Sequence, residues 1–268
     1  MISHQQQLRL LRLSQVLGVF LLWGIEPASA DLSVTVEAPG IQRSQVQGVR
    51  TMDFDATRYT PGRYTRLESD IGIYTGSGSG FAIIAPTGQN AAYGGASQTG
   101  AAGPNQTQYA AIGAQSGQTI MELKLASVAN YFGMYWPAGD LRNRLAFYLG
   151  NTLLAEYSVG DVIAFIDNDS AYFGNPNTGQ NRSEPYAYLN FYGEAGTTFD
   201  RIIFSNTNTT TGFETDNHSV ALLSGNDRSG TPIDSVVTVP EPASILTVLL
   251  GIVAAAAHRA VRSRVPSR

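Results

Sequence analysis

From Asp31 to Ser224 the chain alternates short apolar, aromatic and β-branched runs with clusters of Gly, Asn and Pro. This rhythm constrains the fold more than any other feature, because a half-buried strand repeats every two residues and an amphipathic helix every 3.6. Met121, Leu123 and Leu125 in TIMELKLA keep the period of two, and Phe199 and Ile202 follow it less strictly. Candidate strands are LSVTVEA (32–38), VRTMDFDA (49–56), FAIIA (81–85), TIMELKLA (119–126), YFGMYW (131–136), RLAFYLG (144–150), TLLAEYS (152–158), AYLNFYG (187–193), TFDRIIFSN (198–206) and HSVALLS (218–224). Gly150-Asn151 between two apolar runs predicts a hairpin. GDVIAFI (160–166) suits a short helix or a strand. The expectation is an all-β fold over residues 31–224, a jelly-roll-like antiparallel β-sandwich.

Composition agrees with strands. The chain carries 28 Gly and 14% charged residues, and Lys124 is its single lysine, so Glu–Lys pairs along helices are nearly ruled out. No internal repeat recurs. The Gly/Ala/Ser/Gln stretch between Gly76 and Gly117, broken by Phe81–Ala85, has few large apolar side chains and reads as a long surface loop.

Charge is unevenly placed. With Arg9, Arg12, Arg259, Arg262, Arg264 and Arg268 set aside, together with Glu26 and Glu241, 11 basic and 19 acidic residues remain. A middle region of net charge about −8 disfavours nucleic acid as a partner. The absence of cysteine excludes disulfides and thiolate metal sites.

Both ends carry addressing signals. Arg9 and Arg12, the apolar run Leu13–Ile25 and the small residues Ala28 and Ala30 form the pattern of a secretory signal peptide over 1–30. Residues 225–239 read as a linker. Pro240-Glu241-Pro242 then precedes an apolar stretch, 243–261, long enough for a transmembrane helix, and a basic tail ends the chain at 268. This tripartite ending resembles the PEP-CTERM sorting signal of bacterial surface and exopolysaccharide-associated proteins. The resemblance implies transient anchoring in the inner membrane and recognition by an exosortase, a membrane-embedded cysteine protease. NYFGMYWPAGD, YFGNPN, EPYAYLNFY and FDRIIFSN…GFETDNHSVA are further similar to a family of cyanobacterial exosortase-dependent surface proteins. That likeness covers most of 31–224 and the tail. It implies location, at the cell surface or in the extracellular matrix, and supplies no catalytic residues.

Candidate chemistry inside the domain is sparse. His218 is its one histidine, there is no G-x-S-x-G elbow, and His218 reads as a partly exposed strand residue. Glycoside hydrolysis needs two carboxyl groups in a cleft, and Asp140, Glu156, Glu184, Glu194 and Asp200 are available without a spacing that selects a pair. The expectation is a protein that is not an enzyme. Calcium is the one cofactor the composition leaves room for, since it takes oxygen ligands and export compartments supply it. Asp167, Asn168 and Asp169 form one acidic cluster. If the first and last strands lie together, Asp53 and Asp55 would approach Glu214 and Asp216 in another.

Aromatic-polar segments give the other lead, because sugars stack on rings and hydrogen-bond to amides, carboxylates and Arg. Tyr135, Trp136, Tyr172, Asn175 and Arg182 are the residues expected to bind carbohydrate, with Trp136 and Tyr172 exposed. The functional expectation is an exported, non-catalytic module that associates with extracellular polysaccharide. Its partners would be signal peptidase, an exosortase, the polysaccharide and, transiently, the membrane. The alternative is a structural or adhesive matrix protein without a defined ligand.

Overall fold

The computed structural model describes residues 32–55, 58–166, 169–225 and 227–233. Among them fifteen strands follow in chain order. The first seven are β1 (Leu32–Val36), β2 (Arg50–Met52), β3 (Gly62–Tyr64), β4 (Arg66–Ser69), β5 (Gly72–Gly76), β6 (Phe81–Ile84) and β7 (Tyr109–Gly113). The rest are β8 (Ile120–Ala129), β9 (Tyr131–Trp136), β10 (Asn143–Leu149), β11 (Thr152–Ser158), β12 (Ala187–Gly193), β13 (Phe199–Asn206), β14 (Gly212–Ala221) and β15 (Thr231–Ile233). Two short helices, α1 (Asn90–Tyr93) and α2 (Val159–Phe165), complete the set with a 3-10 turn at Ser170–Tyr172. The all-β expectation holds. Among the described residues no helix is long and apolar enough to cross a membrane. The signal peptide with Ala28 and Ala30, the motif Pro240-Glu241-Pro242 and the apolar stretch 243–261 lie outside the described residues.

One sheet runs β15-β1-β12-β9-β14-β7-β6-β3, with β2 also paired to β14. The second runs β11-β10-β13-β8-β5-β4. All these pairings are antiparallel. Gly150 and Asn151 do form a two-residue hairpin turn, closed by Leu149 opposite Thr152, with Gly150 at φ +57°. GDVIAFI resolves as α2, whose capping box joins Ser158 and Asp161.

The two sheets pack face to face through aromatic rings. Phe132 and Phe191 from the first sheet meet Phe147 of the second, at centroid separations of 5.9 and 4.9 Å. Met121, Leu123 and Leu125 all point into this core, as their period of two requires. His218 lies at its centre and is fully buried, against the expectation of partial exposure. Its ring stacks on Phe204 at 4.9 Å, and its nitrogens meet Tyr74 Oη at 2.8 Å and Thr215 Oγ1 at 2.6 Å. Burial drives its pKa down to about 3, so the ring is neutral.

The outer face of the first sheet is also covered, and this layer is polar. Tyr131 donates to Asn190 Oδ1 at 2.7 Å and lies 2.6 Å from Ser44 Oγ, which fastens the 38–49 segment to the sheet. The Gly/Ala/Ser/Gln stretch is no loose surface loop: Ala96, Ser97, Thr107 and Gln108 are buried on the same face. Small residues let its backbone come close enough for hydrogen bonds to replace apolar packing. Within the expected linker, the described residues 227–233 also contact the sheet. β15 pairs with β1, and Arg228 holds Glu194 through two bonds of 2.5 and 2.6 Å.

Candidate functional site

Strand β14 organises the candidate sites because a bulge interrupts its pairing with β9 between Asp216 and Ser219. Asn217 takes φ +48° there. Thr215 and His218 therefore face the inter-sheet core, while Asp216 and Asn217 both meet the covering segments. The expected approach of early and late strands is present, since β2 pairs with β14 and sets Met52 opposite His218.

The four carboxylates expected to bind calcium divide between two places. Asp53, Asp55 and Asp216 influence one another electrostatically. Asp216 is fully buried and accepts hydrogen bonds from Ala96 N at 2.8 Å and Asn217 N at 2.7 Å. The Thr107 hydroxyl donates to Ala96 O at 2.9 Å and lies 3.3 Å from Asp216 Oδ2. Burial first, and then the neighbouring Asp53, push Asp55 up to about 6. Glu214 belongs to the other place. Among the described residues no three His, Asp or Glu side chains form a metal-holding group. Asp167 and Asn168 lie outside the described residues, and Asp169 caps the 3-10 turn through Ala171 N at 2.9 Å.

Glu214 opens onto a pocket of about 270 Å³ that Tyr93, Gln115, Asp140, Glu184 and Thr211 also line. Tyr93, at the end of α1, is 40% exposed and presents its ring at the rim. Glu214 is buried, and Gln115 Nε2 donates to its Oε1. Burial and the charges of Glu184 and Asp140 push its pKa up to about 8, so it carries a proton at neutral pH. Burial, and to a smaller extent Asp140, also raise the pKa of Glu184. Gln115 Oε1 and Thr211 Oγ1 are buried without hydrogen-bond partners. A Cβ at Gly212 would sit 2.1 Å from Glu214 Oε1, so a larger residue there would push the Glu214 and Gln115 side-chain ends aside.

A second concavity lies along the 86–108 segment. One part, of about 350 Å³, is lined by Asp55, Gln98, Gln106, Thr107 and Gln108 with proline surfaces. An adjoining part, of about 500 Å³, shares Pro86, Gln98 and Gln106 with it.

The residues expected to bind carbohydrate occupy neither place as exposed groups. Trp136 is 2% exposed, stacked on Phe213 at 4.9 Å with Nε1 on Asn143 Oδ1 at 3.3 Å. Tyr135 lies on the opposite face of β9, buried with Tyr186 and Tyr188. Tyr172 is 8% exposed and donates to Glu37 O at 2.9 Å. Asn175 is buried, with Nδ2 on Ala91 O at 3.0 Å and Ala92 O at 3.2 Å. Of the five, Arg182 alone is exposed, its Nε on Gly179 O at 3.2 Å. The cause is that β9 and β12 are central strands with both faces covered, so alternation does not send every second ring to solvent.

Asp140 and Glu184, two of the carboxylates without a distinguishing spacing, are brought to one pocket with Glu214. The residue pattern did not mark Gln115, Gln106 or Gln108. Tyr93 carried a signal, as the one aromatic residue between Pro86 and Gln108. No protein-family model matches the chain, and neither does any curated protein.

Proposed function

We propose that this is an exported cell-surface or matrix protein that associates with extracellular polysaccharide without chemically altering it. The single observation that carries the proposal is the pocket where the exposed Tyr93 ring adjoins Gln115, Asp140 and Glu184. A ring gives the C–H face of a sugar a stacking surface, and carboxyl and amide groups at its edge take the hydroxyls. Export rests on the signal-peptide pattern ending at Ala30. Sorting rests on the resemblance of Pro240-Glu241-Pro242, the 243–261 stretch as a transmembrane helix, and the basic tail to a PEP-CTERM signal. Signal peptidase and an exosortase would then be its processing partners. The description as a jelly roll is favoured by the repeated passage of the chain between sheets, as in β7 to β8 to β9 to β10. The test is a glycan array, and a pull-down with the polysaccharide of the producing cell, using the full-length protein in a sugar-free detergent. Saturable binding is expected. Binding no greater than that of denatured protein would favour the adhesive, ligand-free alternative.

One observation favours a second reading, a glycan-active hydrolase. Asp140, Glu184 and the protonated Glu214 line the same pocket, so an acid and a base are both on hand. Release of reducing ends by the wild type, abolished in Glu214→Gln, would establish it. Binding without release supports the non-catalytic reading.

A further inference from the structure

The single turn α1 buries none of its own side chains, yet four side chains from outside it converge on its carbonyls. Tyr109 Oη donates to Asn90 O at 3.2 Å, Gln106 Nε2 to Ala91 O at 3.1 Å and Tyr186 Oη to Ala92 O at 2.7 Å. Asn175 Nδ2 adds bonds to Ala91 O at 3.0 Å and Ala92 O at 3.2 Å. A one-turn helix leaves most of its carbonyls unsatisfied and is marginal by itself. These bonds therefore fix a turn that adds nothing to the core and holds the exposed Tyr93 in one place. A ring held in place loses less freedom when a ligand stacks on it.

Ala91 and Tyr93 are two residues apart, about 200° around the helix axis, and they line different hollows. Tyr93 borders the pocket of about 270 Å³. Ala91 borders the hollow of about 500 Å³, with Pro86, Gln98, Pro104, Asn105 and Thr178. That hollow continues into the part of about 350 Å³ through Pro86, Gln98 and Gln106. Gln98 and Asn105 are exposed, and their amides make no hydrogen bond among the described residues. A free amide offers donors and an acceptor together, which is what sugar hydroxyls need. Charge narrows the ligand further, because no residue lining the three hollows is basic. Arg142, outside the lining, is paired with Asp140 at 3.6 Å. Glu184 at one end and Asp55 at the other would meet an acidic polymer with like charge.

We infer that these hollows form one groove for a linear, uncharged polysaccharide, which lies across α1 with one sugar on Tyr93 and further sugars beside Gln98 and Asn105. The inference rests on the reading of the Tyr93 pocket as a polysaccharide site. It adds the charge of the ligand and the need for several consecutive sugars. Each hollow is of the size that holds a small ligand, so a fragment that fills only the Tyr93 pocket leaves the Gln98 side empty.

The test uses fragments of the producing cell's polysaccharide, released by mild acid and sorted by charge and by length. Each is titrated calorimetrically into the full-length protein in a sugar-free detergent. Uncharged fragments should bind, and long ones about tenfold more tightly than trisaccharides, the gain from one or two added hydrogen bonds. Acidic fragments of equal length should bind about tenfold more weakly than uncharged ones. Gln98→Ala combined with Asn105→Ala should remove the gain of the long fragments and leave trisaccharide affinity as it was. Both side chains are exposed and unbonded, so the unfolding midpoint should not move. Affinity independent of length, or a double variant that behaves as wild type, would overturn the groove and leave the Tyr93 pocket standing. Equal or tighter binding of acidic fragments would overturn the assignment of charge. Failure of every fragment to bind would remove the polysaccharide reading itself, and the groove with it.

Discussion

Glu214 and His218 are four residues apart on β14 and titrate in opposite senses. Glu214 rises from an ordinary value of 4.5 to about 8 because burial disfavours its anion. Between those values the folded chain holds a proton that the unfolded chain has released, so stability falls as pH rises, by about 1.4 kcal/mol per unit. Its contribution is complete below pH 4.5 and lost through pH 8. His218 falls from 6.5 to about 3, so its contribution is complete above pH 6.5 and lost as pH drops toward 3. From pH 6.5 to 8 Glu214 acts without the opposing slope of His218. The thermal midpoint of the wild type should therefore fall across that interval, and Glu214→Gln should flatten the fall. Unfolding followed by circular dichroism at pH 6.5 and 8 reads the difference, and equal slopes in both proteins would contradict the assignment. Trp136 gives the second residue-scale prediction. Stacked on Phe213 and buried, it should cost about 3–5 kcal/mol when cut to alanine. A stable Trp136→Ala protein that had lost only glycan binding would restore the expectation of an exposed ring.

The elements show which parts of the fold were legible in the sequence and which were not. β8 announced itself because Met121, Leu123 and Leu125 face a core on one side and water on the other. β9 is different: Phe132, Met134 and Trp136 enter the inter-sheet core, while Tyr131 and Tyr135 enter the tyrosine layer beneath the covering segments. No alternation marks a strand covered on both faces, so its rings could not be sorted into buried and exposed. The short strands β3 and β4 were illegible for another reason, since Gly62–Tyr64 and Arg66–Ser69 are largely exposed and carry little apolar signal. The candidate pocket was harder still. Asp140, Glu184 and Glu214 belong to segments that only strand pairing brings together, and no local spacing records such a meeting. Gly133 offers a test of the tyrosine layer. A Cβ there would lie 2.4 Å from Tyr131 Oη and 2.6 Å from Tyr188 Oη. Gly133→Val should therefore separate these hydroxyls and destabilise the protein by about 1–3 kcal/mol, measured by urea unfolding. A neutral result would mean that the two tyrosines are not held as closely as the fold implies.

At the scale of the whole molecule, two sheets share an aromatic core, and a hydrogen-bonded layer covers the outer face of one of them. The apolar core accounts for the fold. The covering layer, built from residues poor in apolar bulk, carries both concavities and the exposed Tyr93. The Gly/Ala/Ser/Gln composition that made this region look structureless is what lets it lie close on the sheet with its amides turned inward. The central claim is that Tyr93 and its polar neighbours bind polysaccharide. The most direct measurement is the affinity of wild type and Tyr93→Ala for the polysaccharide of the producing cell, with unfolding midpoints taken in parallel. Tyr93 is exposed, so its removal should leave the midpoint nearly unchanged and weaken binding about tenfold, the ~1.4 kcal/mol expected of one stacked ring. Equal affinity in the two proteins, or no binding by either, would contradict the account.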